Sequence, residues 1–288
     1  MPRPVCITYD STCDLTPQLL ERFQIRTVPL TIQSGERVFA DDGQYTSADL
    51  YADYRRNGTL PKTAAVSPEE FKSFFLPILE EGYDIVHIDI SSELSCTCQN
   101  AVLAAQELAE QGRVYVVDSR QLSTGGGLLA LQGAKLRDSG MDAADVAEKL
   151  RGLASCGDTS FVLDTLEYMW KGGRCSGVAA LGANVLKLKP CLEMREGKLV
   201  VCKKYRGAMG KVYRQYITER LAGKTVVEDH AFITHSGEVS EDTLRELTEL
   251  VRELAPFKEV FITQAGCTVS SHCGPGTLGV LFLRQPAQ

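Results

Sequence analysis

The stretch Asp84–Ile90 reads DIVHIDI and decides the fold. A run of β-branched and aliphatic residues of this length is typical of a strand buried on both faces. A polar loop, a helical segment over Gln99–Gln111 and a further strand over Val114–Val117 follow it directly. Strands that alternate with helices form parallel sheets, because each helix carries the chain back to the edge where the next strand starts. We therefore predict a mainly parallel sheet flanked by helices.

The same alternation fills the first half of the chain. Ser67 is a strong helix start, because a proline at the first helical position and a glutamate three residues after the cap both stabilise a helix N-terminus. The glycines 125–127 lead into another helix. We predict an N-terminal α/β domain over residues 1–156. Its remaining elements include strands over Val5–Tyr9 and Arg26–Ile32 and a helix over Pro17–Phe23.

The second half has a different order of elements. Pro190–Tyr205 is typical of a β-hairpin that turns at Glu196 and Gly197, and a helix over Ser240–Leu254 separates two later strands. Strands joined by a hairpin pair in antiparallel fashion, whereas strands separated by a helix can pair in parallel. We predict a C-terminal α/β domain over residues 157–288 with a mixed or antiparallel sheet.

The composition limits the class of protein. The net charge of −6 argues against nucleic acid as a partner, since phosphate binding requires clustered lysine and arginine. No run of apolar residues reaches the roughly 18 that a membrane-spanning helix needs, and the N-terminus lacks the apolar core of a signal peptide. The ten cysteines are scattered over a large chain rather than set in a small disulfide framework. We expect a cytoplasmic protein whose cysteines are mostly small buried hydrophobes.

Three polar loops follow strands of the predicted parallel sheet, over Asp10–Asp14, Ser91–Thr97 and Asp118–Ser123. Ligands of such sheets collect at the carboxyl ends of the strands, where these loops lie. The loop Ser91–Thr97 also enters a helix, and the N–H groups at a helix N-terminus attract anions. Plain capping of that helix by Ser95 or Thr97 is the alternative interpretation.

Other polar residues also have two interpretations. Asp10 and Asp14 fit either a magnesium site or an Asx-turn that starts a helix. The segment Lys171–Arg174 contains two cations around two glycines, which fits an anion-facing loop or an ordinary helix C-terminus. Thr63 precedes the helix capped by Ser67, and its hydroxyl can donate a hydrogen bond to a ligand.

His272 is the most informative single residue, because it is one of four histidines and lies in the Gly/Pro-rich run Ser270–Gly276. Glycine lets the backbone approach a ligand closely, and histidine donates hydrogen bonds and changes charge near neutral pH. We predict a loop that binds an anionic oxygen group, between strands over Glu259–Thr263 and Val280–Leu283. The alternative is a rigid turn with an incidental surface histidine. The histidines that we expect to be core or edge residues are His87, His230 and His235.

Common nucleotide, hydrolase and zinc motifs do not occur in the sequence. The glycines 125–127 form neither a G-x-G-x-x-G pattern nor a P-loop, and there is no G-x-S-x-G elbow. Cys96, Cys98, Cys267 and Cys273 lack the C-x₂-C spacing of common structural zinc sites. We expect neither a metal nor a cofactor.

Taken in order, these motifs resemble those of the DegV family over nearly the whole chain. The resemblance implies a bacterial fatty-acid-binding protein with two α/β domains, the lipid-binding subunit of a fatty acid kinase. In such a system a separate ATP-binding subunit phosphorylates the bound acid, and the acyl phosphate enters phospholipid synthesis. The motifs that carry the resemblance are Asp10–Leu15, Thr63, Ile90–Thr97, Val117–Ser119, Lys171–Ser176 and His272–Gly276.

The resemblance also implies roles for particular residues. Thr63, Ser95 and His272 would hold the carboxylate of a long-chain fatty acid, and Arg174 would lie near the carboxylate or phosphate. Arg206 would help to dock the kinase, in agreement with the locally basic sequence around it. The chain itself would have no catalytic residues, and its other expected contact is a transient one with a membrane surface.

Two positions depart from the family's pattern. Cys96 follows Ser95 where glycine is usual, and Ala64 follows Thr63 where serine is usual. Both residues flank the carboxylate site that the resemblance implies. The apolar stretch Val178–Leu192 is the candidate tunnel wall, and a simple buried helix is its alternative.

Two further classes of function stay open at this point. A stand-alone phosphotransferase or hydrolase would use His272 or Ser95 as its nucleophile. A metal- or redox-sensing module would be built on cysteines. The cysteines that it would use are Cys96, Cys98, Cys267 and Cys273.

Overall fold

The structure is a computed structural model that describes residues 3–175 and 188–285. The strands are β1 (Val5–Asp10), β2 (Ile25–Val28), β3 (Thr31–Ser34), β4 (Arg37–Ala40), β5 (Lys62–Ala64), β6 (Asp84–Asp89), β7 (Val114–Asp118), β8 (Gly157–Val162), β9 (Leu188–Arg195), β10 (Lys198–Arg206), β11 (Val226–His235), β12 (Glu259–Gln264) and β13 (Leu278–Arg284). The helices are α1 (Pro17–Phe23), α2 (Ser47–Asn57), α3 (Pro68–Glu80), α4 (Thr97–Glu107), α5 (Thr124–Asp138), α6 (Ala143–Leu153), α7 (Glu167–Gly172), α8 (Met209–Leu221), α9 (Glu241–Leu254) and α10 (Cys267–Cys273). None of these described helices is long and apolar enough to cross a lipid bilayer.

The first sheet has four parallel strands in the order β2-β1-β6-β7. Its central strand β6 is the DIVHIDI stretch. Val86 and Ile88 pack into one core cluster with α5 and α6, and Ile85 packs into another with α3 and α4. The predicted parallel sheet flanked by helices is confirmed, and the three polar loops leave its β1, β6 and β7 strands at one edge.

The second sheet has six strands in the order β10-β9-β8-β13-β11-β12. Strands β11 and β12 pair in parallel, and the other neighbours pair in antiparallel fashion. The hairpin of β9 and β10 turns at Glu196 and Gly197, which both have positive φ angles, as a two-residue type I′ turn requires. The predicted mixed sheet and its hairpin are therefore confirmed.

The single strand predicted over Arg26–Ile32 is wrong, because the structure divides this segment into β2 and β3. Pro29 lies between them, and proline has no N–H with which to continue a ladder. Strand β3 turns away to pair with β4 and β5 in a three-stranded antiparallel sheet that the sequence analysis did not predict. Its strands have only three or four residues, too few to show a clear alternation.

Helix α5 packs between the first and second sheets. One buried cluster contains Ile7 of β1, Leu128 of α5 and Phe232 of β11. The two halves therefore share a hydrophobic core. All strands of the second sheet fall after residue 156, but the domain bounds 1–156 and 157–288 stay a prediction.

The glycines at the start of α5 allow this close packing. A Cβ atom at Gly125 would lie 1.9 Å from Thr159 Oγ1, and one at Gly126 would lie 1.8 Å from Tyr9 Oη. Neither neighbour is a flexible chain end with room to move, since Tyr9 and Thr159 are both buried. The glycines thus serve the packing of a helix against two sheets.

Candidate functional site

A cavity of about 380 Å³ lies where the loops of the first sheet meet β5, α7 and α10. This volume falls within the ~300–1,000 Å³ typical of small-molecule sites. The four ligand-binding residues predicted from the sequence, Thr63, Ser95, Arg174 and His272, all line it. Most of the remaining wall is apolar. It includes Leu30, Leu94, Leu122, Met169, Leu199 and Val269.

His272 lies in the last turn of α10, and the predicted loop position is therefore wrong: the irregular segment begins at Gly274. The start of this short helix is held by two side chains from the first half of the chain. Asp14 accepts a hydrogen bond from the N–H of Gly266 at 2.8 Å, and Asp41 accepts two from the next N–H groups at 2.8 and 3.2 Å. Capping of this kind stabilises a helix N-terminus, so the two aspartates position the imidazole.

The imidazole of His272 is uncharged at neutral pH. Burial, and secondarily the cation of Arg174, lowers the pKa of His272 to about 4. Its Nε2 lies 3.2 Å from Thr63 Oγ1, and its Nδ1 is buried without a hydrogen-bond partner in the described residues. Gly172 packs directly on the ring, since a Cβ atom there would lie 2.3 Å from Nδ1. An anion bound beside this imidazole would raise its pKa and strengthen the contact.

The two predicted hydroxyl groups come from the first half. Thr63 is the middle residue of β5, opposite Ile32 in β3. Ser95 lies between β6 and α4, where its Oγ accepts the N–H of Thr97 at 3.2 Å and contacts Thr97 Oγ1 at 2.7 Å. Ser95 therefore supports the start of α4, as the capping interpretation holds, and also lines the cavity. One hydroxyl can serve both, because its oxygen accepts two hydrogen bonds and donates one.

Arg174 follows Gly173, the residue that caps the C-terminus of α7. Gly173 has the left-handed conformation, with φ 69°. The guanidinium of Arg174 donates to the carbonyl oxygen of Gly172 at 2.7 Å and forms no ion pair with the described residues. Lys171 instead pairs with Glu167, one turn earlier on α7, at 3.0 Å. The helix-end interpretation therefore fits Lys171, while Arg174 brings an unpaired positive charge to the cavity.

Thr268 is a cavity residue that the sequence analysis missed. It precedes His272 by four residues on α10, so the two side chains share one face of the helix. Its Oγ1 is buried and has no hydrogen-bond partner among the residues that the structure describes. The i, i+4 spacing would have revealed the pair, but only if the short segment CTVSSHC had been identified as helical.

Asp10 and Asp14 hold the loops together. Asp10 accepts the N–H groups of Thr12 and Ile90, each at 2.8 Å, and Asp14 accepts the hydroxyl of Ser123. Burial raises the pKa of Asp10 to about 7 and that of Asp14 to about 8. In the described part of the chain, no three histidine, cysteine, aspartate or glutamate side chains form a group that could hold a metal ion. The hydrogen bond from the N–H of Thr12 to Asp10 is the one that the Asx-turn requires.

The two departures from the family's pattern have different surroundings. Cys96 lines the cavity and precedes α4 without a side-chain capping bond. Ala64 is exposed and pairs with Thr31, whereas the next residue, Ala65, reaches the cavity. Only Cys96 therefore contributes directly to the wall.

Arg206 is not among the described residues that line the cavity. Arg206 is the exposed last residue of β10, an edge strand, where it pairs with Leu188. Most of the stretch Val178–Leu192 lies outside the described residues, and its end belongs to β9 rather than to a helix. There, Leu192 packs with Leu199 in the apolar cluster beside the cavity.

Comparison with known sequences finds similarity over the full length. Residues 4–285 match the model of the DegV family, a family described as uncharacterised. A DegV domain-containing protein of Deinococcus radiodurans is 30% identical over 284 residues, which cover 96% of this chain and 97% of that protein. A fatty acid-binding protein of Thermotoga maritima is 29% identical over 280 residues, 96% of each chain.

Solved structures agree with this similarity. A DegV family protein of Thermus thermophilus, whose structure concerns fatty acid binding, superposes with a TM-score of 0.87 at 31% identity and covers 99% of this chain and 100% of its own. A DegV lipid-binding protein of Thermotoga maritima superposes with a TM-score of 0.86 at 27% identity, with 99% of each chain covered.

Proposed function

This chain belongs to the DegV family, and we propose that it binds a long-chain fatty acid whose carboxylate lies at Thr63, Ser95 and His272. The observation that carries the proposal is the meeting of these groups in a mostly apolar cavity, together with Arg174, which forms no ion pair with the described residues. Apolar walls suit an alkyl chain, and the polar groups suit its one anionic end. Binding of fatty acids by DegV-family proteins such as that of Thermus thermophilus supports the same ligand class.

The apolar wall of the cavity suits the tail of a fatty acid, and its polar groups suit the carboxylate. Burial of a tail of about sixteen carbons contributes roughly 12 kcal/mol at ~0.8 kcal/mol per CH₂, before the cost of ordering the ligand. The carboxylate opposes burial unless it is paired and hydrogen-bonded. Thr268 adds a hydroxyl that has no partner among the described residues, and a bound carboxylate would remove a cost of about 1–3 kcal/mol there.

We further propose that this chain presents the acid to a separate ATP-dependent kinase. In that reaction a carboxylate oxygen attacks the γ-phosphorus of ATP, the bond to the β-phosphate oxygen breaks, and ADP leaves with acyl phosphate as product. Because the carboxylate of the acid is itself the nucleophile, this chain needs only to hold and orient it. The hydrolase alternative has little geometric support, because His272 contacts Thr63 and Ser95 contacts Thr97.

Ligand content tests the first proposal. We expect native mass spectrometry of protein purified from a bacterial host to show one co-purified long-chain acid per chain. Ser95→Ala and His272→Ala should each reduce this occupancy while circular dichroism shows an unchanged fold. Protein that is always empty, and that fails to bind added acid, would refute fatty-acid binding.

Arg206 tests the second proposal separately. Its exposed position on an edge strand, away from the cavity-lining residues, fits a surface contact with the kinase. Arg206→Ala should retain fatty-acid affinity but slow phosphorylation by the kinase, and Arg245→Ala, an exposed control on α9, should change neither. Loss of fatty-acid binding in Arg206→Ala would show that the docking role is wrong.

A further inference from the structure

Cys191 and Cys202 oppose each other on the neighbouring strands β9 and β10. The register shifts between Val201 and Lys203, so that Cys202 is an extra residue in β10 and Lys203 pairs with Cys191. Such a bulge sets two residues of one strand against a single residue of the other. As a result, Cys202 Sγ donates a hydrogen bond to the carbonyl oxygen of Cys191 at 3.4 Å, while Cys191 Sγ donates one to the carbonyl oxygen of Leu192 at 3.8 Å.

Cys191 lies on the face of the second sheet that is turned away from the cavity lined by Thr63, Ser95 and His272. Cys191 packs in the cluster that contains Tyr213 and Ile217 of α8. The next residue, Leu192, belongs to the cluster beside the cavity. Because successive side chains of a strand point to opposite faces, the Cys191 sulfur lies across the sheet from the cavity. Cys202 Sγ lies beside the backbone carbonyl of Cys191.

The two sulfur atoms differ in exposure and acidity. Cys202 is exposed, whereas Cys191 is buried. The adjacent Cys191 thiol lowers the pKa of Cys202, and the nearby guanidinium of Arg220 acts in the same direction, against burial and the charge of Glu193. A thiolate is the reactive form of cysteine, so Cys202 is the sulfur that an oxidant meets first.

We propose that Cys191 and Cys202 form a reversible intramolecular disulfide when the protein meets hydrogen peroxide. The Cys202 thiolate attacks one peroxide oxygen, the O–O bond breaks, and the departing hydroxide takes up a proton to give water and a sulfenic acid. The Cys191 sulfur then attacks Cys202 Sγ; the S–S bond forms, the S–O bond breaks, and hydroxide leaves with the Cys191 proton as a second water. Two thiols are oxidised and one peroxide is reduced.

The backbone can accommodate this bond. The bulge sets Cys202 and Lys203 together against Cys191, and Cys202 Sγ lies 3.4 Å from the carbonyl oxygen of Cys191. A disulfide tolerates Cα separations of about 4.4–6.8 Å, a range that includes facing residues of neighbouring strands. Both residues therefore start within reach, and closure needs side-chain rotation rather than separation of the strands.

Peptide mapping tests the proposal. Reduced protein is treated with hydrogen peroxide, its remaining thiols are alkylated, and it is digested with trypsin without reductant. We expect Leu188–Arg195 and Leu199–Lys203, which carry one cysteine each, to appear as a single linked peptide that dithiothreitol separates. Cys202→Ser should abolish the link, whereas Cys96→Ser, at the other exposed cysteine, should leave it unchanged.

Two further measurements keep the test decisive. In Cys191→Ala the sulfenic acid of Cys202 should persist and react with dimedone, because no second thiol removes it. In a mixture of isotopically light and heavy protein, the two peptides of each linked pair should be both light or both heavy, because the disulfide forms within one chain. Peptides that stay separate and alkylated after peroxide treatment, or a link that joins light to heavy chains, would overturn the proposal.

Discussion

Two cavities of similar size differ in how their charged groups are paired. The cavity lined by Thr63, Ser95, Arg174 and His272, for which we propose a fatty acid and which we call the fatty-acid cavity, has a volume of about 380 Å³. A second cavity, lined by Asp158, Glu193, Arg220 and Lys224 among others, has about 470 Å³, and we call it the charged cavity. In the charged cavity, Arg220 pairs with both Asp158 and Glu193, and Lys224 lies 3.2 Å from Asp158. In the fatty-acid cavity, Thr268 Oγ1 is buried without a partner in the described residues.

This difference shows why volume does not identify the ligand site. A ligand in the charged cavity would have to compete with the ion pairs of Arg220, Asp158 and Glu193, although Gln121 Oε1, also in its wall, has no partner among the described residues. A ligand in the fatty-acid cavity would add hydrogen bonds where they are missing and cover an apolar wall. The smaller cavity is therefore the better match for a ligand with an apolar body and one anionic end.

Removal of a cation from the charged cavity should affect stability and not binding. Arg220→Met should lower the free energy of unfolding by about 3 kcal/mol, because Asp158, only 3% exposed, loses its closest partner and keeps Lys224. Urea denaturation measures this change, and the exposed Arg245→Met should cost less than about 1 kcal/mol. Weaker fatty-acid binding by folded Arg220→Met would show that the charged cavity contributes to the ligand site.

The uncharged imidazole of the fatty-acid cavity should make stability depend on pH. The pKa of His272 is about 4 in the folded protein, below its ordinary value of 6.5. As the pH falls through this interval, the unfolded chain binds a proton that the folded protein does not, so the free energy of unfolding falls. The full difference corresponds to about 3 kcal/mol.

The variant His272→Gln isolates this contribution from other titrating groups. Between about pH 7 and pH 4, the wild type without ligand should lose up to ~3 kcal/mol more than His272→Gln in urea denaturation. Equal losses in the two proteins would show that His272 titrates normally and that the ring is not held in an uncharged state.

A methyl group at Gly172 should displace the imidazole. Gly172→Ala places a Cβ atom 2.3 Å from Nδ1 of His272, so the ring must move, and we expect fatty-acid affinity to fall about tenfold. Gly152→Ala is the matched control, since this glycine lies in α6 with no atom within 4 Å of the added Cβ. The control should bind normally and gain up to about 1 kcal/mol of stability. Unchanged binding by Gly172→Ala would mean that the position of the ring does not matter.

Removal of the Thr268 hydroxyl should have the smallest effect. Its separate effects on ligand affinity and on stability distinguish a binding role from a structural one. Thr268→Val keeps the shape of the side chain but removes Oγ1, so affinity for the acid should fall by about 1 kcal/mol without loss of stability. Thr159 is also buried, and its Oγ1 has no partner in the part of the chain that the structure describes, but it does not line the cavity, so Thr159→Val should bind normally. Calorimetric titration measures both, and equal affinities for the two variants would exclude Thr268 from the ligand site.

The sequence predicted those parts of the fold that depend on long regular patterns. The buried strand DIVHIDI, the capped helix after Ser67 and the turn at Glu196 and Gly197 each have a local cause, and each occurs in the structure. Short elements were missed, because β3 to β5 and α10 depend on partners far along the chain. Asp41, for example, caps a helix 226 residues away.

The sequence named four residues that line one cavity, but it missed Thr268 and the geometry of the cavity, and the binding role of these residues stays a prediction. Thr63, Ser95, Arg174 and His272 came from the family resemblance, and the structure brings all four to one cavity. The contact between Nε2 and Thr63 Oγ1 and the packing of Gly172 on the ring depend on tertiary structure, which no local pattern encodes.

A matched pair of ligands tests most directly whether this cavity holds a fatty-acid carboxylate. Calorimetric titration would compare a sixteen-carbon acid with the alcohol of the same length, in the wild type and in His272→Gln. The wild type should bind the acid about 10–100-fold more tightly, the gain expected from charge-assisted hydrogen bonds, and the variant should lose most of that preference. Equal affinity of the wild type for acid and alcohol, or a preference that survives in His272→Gln, would contradict the carboxylate site.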